Sequence, residues 1–192
     1  MKILAVADEE ESLLWSGQVK DYARDVELII SCGDLSPEYL EFLVSMLNVP
    51  LIYVFGNHDK SAPSGGTCIE GKIFTFNGIN FLGLGGSIRY RNGVNMYTEA
   101  EMKRRILKLK IPLWLKGFNI LVTHSPARGF GDLDDFPHWG FESFNNLMRN
   151  YQPKLMLHGH VHKSYARMPS EIIHPSGTRI INACGHKIIN LM

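Results

Sequence analysis

Carboxylates, amides and imidazoles recur in this chain wherever an apolar run stops. Asp8 follows KILAVA, Asp34 ends the CGD after LIIS, and Asn57, His58 and Asp59 follow LIYVFG. His124 closes NILVT, and the alternating run His158-Gly-His160-Val-His162 closes KLML. Oxygen donors from Asp and Asn, joined by imidazole nitrogens, suit Mn, Fe, Zn or Ni rather than Ca. None of the three cysteines, Cys32, Cys68 and Cys184, falls in the set, which argues against a structural zinc site. His160 and His162 are two apart, so an extended segment would turn both rings to one side. Asp34 has two carboxylate oxygens to offer and is suited to bridge two cations. Gly33, Gly56 and Gly159 would let the backbone turn tightly beside the ions.

Such residues act together only if the apolar runs are neighbouring strands. Continuous apolar runs alternating with amphipathic stretches predict a parallel sheet with crossover helices. A polar, Trp15-containing stretch reads as the first helix, and PEYLEFLVSML as the second, with Ser36 as N-cap and Pro37 in its first turn. Asn77-Gly78 between KIFTF and INFLGL is a hairpin signal. A helix from about Thr98 carries its own capping box, Thr98 with Glu101. The tail reads as strands around Pro175-Ser176-Gly177. With no linker, repeat or low-complexity segment, the expectation is one α/β domain over residues 1–192. In such sheets, ligands bind beyond the carboxyl ends of the strands, where the metal-type residues lie.

The bulk properties narrow the partners. A net charge of +1 and a charged fraction of 20% give no electrostatic basis for nucleic-acid or membrane binding. An odd number of widely spaced cysteines predicts thiols in a reducing compartment. The opening apolar stretch is too short for a signal peptide, and no run is long enough to span a bilayer, so the expectation is a cytoplasmic protein.

The series GD (Gly33-Asp34), GNHD (Gly56 to Asp59), the lone His124 and GHVH (Gly159 to His162) resembles the calcineurin-like metallophosphoesterase family in order and spacing. The resemblance implies a four-layer α/β/β/α sandwich of two mixed sheets flanked by helices, with a two-metal centre. By position, Asp8, Asp34 and His162 would hold the first ion, with Asp34 bridging, and Asn57, His124 and His160 the second. His58 would be no ligand but would sit beside the phosphate, protonating the leaving group or stabilising charge, with Asp59 orienting it by a hydrogen bond. Paired ions about 3.5–4 Å apart clamp a phosphoryl group and generate a hydroxide for in-line attack. The implied activity is hydrolysis of a small phosphodiester or phosphomonoester. The alternative is a binding scaffold that keeps the fold without turnover, and retention of His58 and Asp59 favours the enzyme.

One position departs from the family's pattern. Asp-x-His is usual at the end of the first strand, and Glu10 stands here in place of the histidine. Either Glu10 ligates, adding charge and favouring Mn over Zn, or it faces solvent and leaves the first site weak, or the site has drifted from catalysis. Glu10 is carried as a candidate ligand, with two Mn2+ ions as the expected cofactors and Fe, Zn or Ni as alternatives. Glu9 is expected to be exposed. His138 and Arg89 are weighed as substrate contacts against packing and surface roles, and His158, His174 and His186 as structural residues. Mono- or diester preference and oligomeric state are not legible.

Overall fold

Strand-forming residues buried on both faces account for most of the architecture. The structure, a computed structural model, describes residues 1–162, 169 and 171–191. The first half runs β1 (Lys2–Ala7), α1 (Val19–Tyr22), β2 (Leu28–Ser31), α2 (Pro37–Leu47), β3 (Leu51–Tyr53), β4 (Thr67–Cys68), β5 (Lys72–Phe76), β6 (Ile79–Leu84), β7 (Ser87–Ile88) and β8 (Met96–Tyr97). The second runs α3 (Glu99–Lys108), α4 (Lys110–Lys116), β9 (Ile120–Thr123), α5 (Glu142–Tyr151), β10 (Leu155–His158), β11 (Glu171–Ile173), β12 (Arg179–Asn182) and β13 (Gly185–Asn190), with a 3-10 turn at Phe136–His138 before α5.

Two mixed sheets result, ordered β13-β1-β2-β3-β4 and β11-β12-β10-β9-β6-β5. Alternation along each strand then sets the layers. From β1, Ile3, Ala5 and Ala7 meet Phe81, Ile120, Val122 and Leu157 of the other sheet in a core between the two. Leu4 and Val6 point the opposite way, onto Val19 of α1 and Tyr39, Leu40 and Leu43 of α2. The outer face of the second sheet, through Leu82, Leu121 and Met156, packs on Met102, Leu113, Phe144 and Leu147 of α3, α4 and α5. Each fully buried aliphatic side chain here contributes roughly 1.5–3 kcal/mol relative to exposure. This is the expected four-layer sandwich.

Local signals hold where side chains close on their own backbone. Ser36 accepts from the Tyr39 N–H at 3.2 Å and Pro37 opens α2, while Thr98 and Glu101 form the reciprocal box on α3. Asn77 and Gly78 both take positive φ, 48° and 76°, and join β5 to β6 as an antiparallel hairpin. β11 and β12 pair antiparallel around Ser176, and β13 leaves for the other sheet to flank β1. The Trp15 stretch differs: residues 12–17 are turns and only Val19–Tyr22 is helical. Trp15 packs on Tyr39 and Phe42, so its place is set by ring contacts with α2 rather than by helical periodicity. Among the described residues, no helix is long and apolar enough to cross a membrane.

The start of α5 is capped from outside. Its cap position, Phe141, has no side-chain acceptor, and the Glu99 carboxylate from the first turn of α3 accepts from the N–H groups of Glu142 (3.1 Å) and Ser143 (2.9 Å) instead. Two helices thereby share one carboxylate at their positive ends. Glu99→Ala is expected to cost about 1 kcal/mol of stability, as loss of a helix cap does. Urea denaturation at neutral pH measures it.

Candidate metal centre

The ends of β1, β2, β3, β9 and β10 meet in one crevice, and cross-sheet hydrogen bonds fix how. His124, fully buried after β9, sets Nδ1 2.9 Å from the Cys32 carbonyl, and Nε2 3.0 Å from Asn57 Oδ1 and 3.2 Å from Asp34 Oδ2. Its two nitrogens face acceptors only, an arrangement that favours a proton on each, and a cation bound at Nε2 would take the place of the proton there. Burial alone would lower the pKa of this ring; the adjoining Asp34 carboxylate, helped by Asp8, drives it up to about 9. Burial works to raise Asp34, but His124 and the His58 N–H, 2.7 Å from Oδ1, outweigh it and hold Asp34 down at about 2.

Asp8 accepts from the His160 N–H with both oxygens, at 3.0 and 2.9 Å. Burial raises Asp8 to about 6, against the pull of His124 and His162. Asp59 Oδ2 accepts from the N–H groups of Gly56 (2.7 Å) and Asp34 (2.9 Å), so it pins the loop after β3 to the loop after β2. The expected hydrogen bond from Asp59 to His58 is not among the contacts of the described residues. His58 is exposed beside Asp34 and acts on it electrostatically.

Three of these residues, Asp8, Asp34 and His160, hold positive φ values of 62°, 59° and 70°. A side chain in this region costs on the order of 1–3 kcal/mol, and such strain gathers at functional sites. It also undoes an expectation based on extended backbone. His160 and His162 do not share a direction: His160 stacks edge-on against His124 and sets Nε2 2.9 Å from the Pro137 carbonyl, while His162 sets Nδ1 3.1 Å from Glu9 Oε1. With Nε2–H donating to Pro137, His160 keeps a lone pair on Nδ1.

The same reversal at Asp8 exchanges the two glutamates. Glu10 is exposed, with Oε2 accepting from the Trp15 indole at 2.8 Å and Oε1 from the Ser36 N–H at 3.0 Å. It fastens the loop to the start of α2 and lies outside both metal-type clusters. Glu9, expected to be exposed, is the one that reaches the crevice. Among the described residues, two groups of three side chains bring donor atoms within 4.8 Å of one another: Asp8, Asp34 and His124, and Glu9, His162 and Cys184. Cys184, set aside on sequence, therefore stands with the candidate ligands. Tyr90, also missed, lies with its hydroxyl 3.5 Å from Asn57 Nδ2. His138 stacks on His160 at 5.3 Å between ring centroids and so lines the crevice. Arg89, weighed as a phosphate contact, is engaged by Glu101 and the Met96 carbonyl.

The crevice fits divalent cations on its own chemistry. Asp34, Asn57 and His124 already converge, and glycines leave the carboxylates their room. A Cβ on Gly56 would lie 2.0 Å from Asp34 Oδ1, and one on Gly159 2.4 Å from Asp8 Oδ2.

Fold and crevice together place candidate metal-binding side chains at the strand ends of a layered α/β sandwich. Comparison by sequence gives it a family: residues 1–185 match the calcineurin-like phosphoesterase superfamily domain, and the chain belongs to that superfamily. No curated protein matches the chain. Among solved structures, TT1561 of Thermus thermophilus is similar at a TM-score of 0.66 and 14% identity, covering 96% of this chain and 89% of that one. A hypothetical protein from the same organism is similar at 0.52 and 14% identity, covering 95% and 75%. At these identities the likeness is one of fold.

Two outcomes follow from the site's packing. Gly56→Ala is expected to displace the Asp34 carboxylate, cost roughly 1–3 kcal/mol as overpacking does, and weaken Mn2+ or Zn2+ binding in a calorimetric titration. His158 is fully buried, with Nδ1–H donating to the Gly159 carbonyl, and burial lowers its pKa to about 4. The native state thus refuses a proton that the unfolded chain accepts near 6.5, so this group subtracts stability as pH falls from about 6.5 towards 4. Nitrogen-15 NMR at pH 5.5 is expected to find His158 as the neutral Nδ1–H tautomer.

Proposed function

We propose that this protein is a metal-dependent hydrolase of small phosphoesters. The observation that carries the reading is the convergence of Asp34, Asn57 and His124 donor atoms from three different strand ends, with an exposed imidazole, His58, beside them. Asp8, Asp34, Asn57, His124, His160 and His162 would hold two divalent cations, which when bound supply Lewis-acid stabilisation of the phosphoryl oxygens and activation of water. Asp34 orients its carboxylate through the His58 N–H, and Asp59 holds the two loops in register. His58, exposed and outside the ligand set, would move a proton at the leaving oxygen, a task suited to a non-ligand imidazole. Tyr90, next to Asn57, and His138, next to His160, would contact a substrate substituent. The preference for Mn2+ rested on Glu10 as a ligand, and its hydrogen bonds to Trp15 and Ser36 remove that support.

The test pairs chromogenic phosphomono- and phosphodiesters with the metal-loaded protein. Wild type is expected to turn over at least one, and His58→Ala to lose roughly 10²–10⁴-fold, the range for a general acid, while retaining metal. Asp34→Asn is expected to lose both metal and activity. Wild type as inert as His58→Ala on both esters would overturn the enzymatic reading in favour of a binding scaffold.

A further inference from the structure

Glu9, His162 and Cys184 come from three separate parts of the chain: the loop after β1, the loop after β10, and the crossover between β12 and β13. Nothing in local sequence brings them together. Their placement is nevertheless closely specified. Cys184 lies beside Ala7 in an isolated parallel bridge, two residues from Glu9. Asn182 then clasps two of the three segments with one side chain: Nδ2 donates to the Val161 carbonyl at 2.7 Å, and Oδ1 accepts from the Cys184 N–H at 2.8 Å. The residue next to His162 and Cys184 itself are thus tied to a common amide. The Ala183 N–H adds a 2.7 Å bond to the His158 carbonyl.

The surroundings of Cys184 differ from those of the other buried cysteine. Cys32 belongs to the apolar core between the sheets, whereas Cys184, equally buried, belongs to none of the three apolar clusters of the described residues. Its neighbours are a carboxylate and an imidazole. Asp8 adjoins them, since His162 acts on it electrostatically, so this cluster is continuous with the one around Asp34 and His124.

We propose that Glu9 and Cys184 join His162 at the first cation position of the centre, a thiolate and Glu9 supplying beside Asp8 and Asp34 what Glu10 does not. The inference rests on the metal-centre reading above and names its ligands and its metal class. A carboxylate, an imidazole and a thiolate make a borderline-soft donor set, which suits Zn2+, Fe2+ or Co2+ over Mn2+. Binding removes the thiol proton to solvent and leaves a sulfur–metal bond, with no change of oxidation state. Asn182 is a positioning residue, acting through the backbones of Val161 and Cys184.

Co2+ titration of the full chain is the test. A thiolate-to-cobalt charge-transfer band in the near ultraviolet is expected for wild type and for Cys68→Ser. It should vanish in Cys184→Ser, whose circular dichroism should match wild type. Asn182→Ala is expected to keep the band but need at least several-fold more Co2+ to saturate it. Independently of any variant, X-ray absorption of the Zn2+-loaded wild type should contain a sulfur shell at about 2.3 Å. Co2+ or Zn2+ bound without band or sulfur shell, or a band that survives Cys184→Ser, overturns the assignment and leaves the phosphoesterase reading intact. A sulfur shell in a protein inert on every ester does the reverse. Failure to bind either ion overturns both.

Discussion

Three carboxylates, those of Asp8, Asp34 and Asp59, are gathered into one crevice largely withdrawn from water, and their repulsion is the condition the surrounding chain has to satisfy. It does so by giving each a different answer. Asp34 is held down at about 2 beside the buried His124 ring, Asp59 is held by two backbone N–H groups, and Asp8 is pushed up to about 6. Because His124 also bonds to the Cys32 carbonyl across the inter-sheet core, the charge balance and the alignment of the two sheets are one arrangement. Disturbing either would disturb the other.

The strained turns are the means of this gathering. Positive φ at Asp8, Asp34 and His160 bends each strand end inwards instead of letting it run out into solvent. The bends are held by bonds among the same residues: His160 N–H to Asp8, His58 N–H to Asp34, and Glu9 N–H back to the Ala7 carbonyl at 2.6 Å. Where a Cβ would block such a bend, glycine is present, as at Gly56 and Gly159. The crevice is therefore built from backbone as much as from side chains.

Most of the fold was legible because its determinants are local. Runs such as KILAVA are apolar on both faces because both faces are buried, and Ser36, Thr98 and Asn77-Gly78 act within a few residues of themselves. The order of Asp8, Asp34, Asn57, His124 and His160 along the chain was legible for the same reason, each following its own strand. The exchange of Glu9 for Glu10 was not. Glu10 was expected from the family's Asp-x-His pattern, whereas with Asp8 left-handed it is Glu9 that stands in a cluster with His162 while Glu10 turns to Trp15 and Ser36. Cys184 was hidden by distance rather than by chemistry, since a strand that changes sheets carries it 175 positions along the chain to Glu9. The Glu99 cap on α5 belongs to the same class of long-range contact.

The last strand, β13, lies against the first and pairs Lys2 with Asn190 and Ala7 with Gly185. A nascent chain emerging from the ribosome therefore offers Asp8 well before β13, and one edge of its strand stays open until β13 has been made. The same late segment delivers Cys184. Closing so long a loop is slow compared with forming α2 or the β5–β6 hairpin, so the centre is among the last features to assemble. Until then, an acidic strand end with an unpaired edge is exposed to solvent, and the charge of Asp8, Glu9 and Glu10 discourages other chains from pairing there.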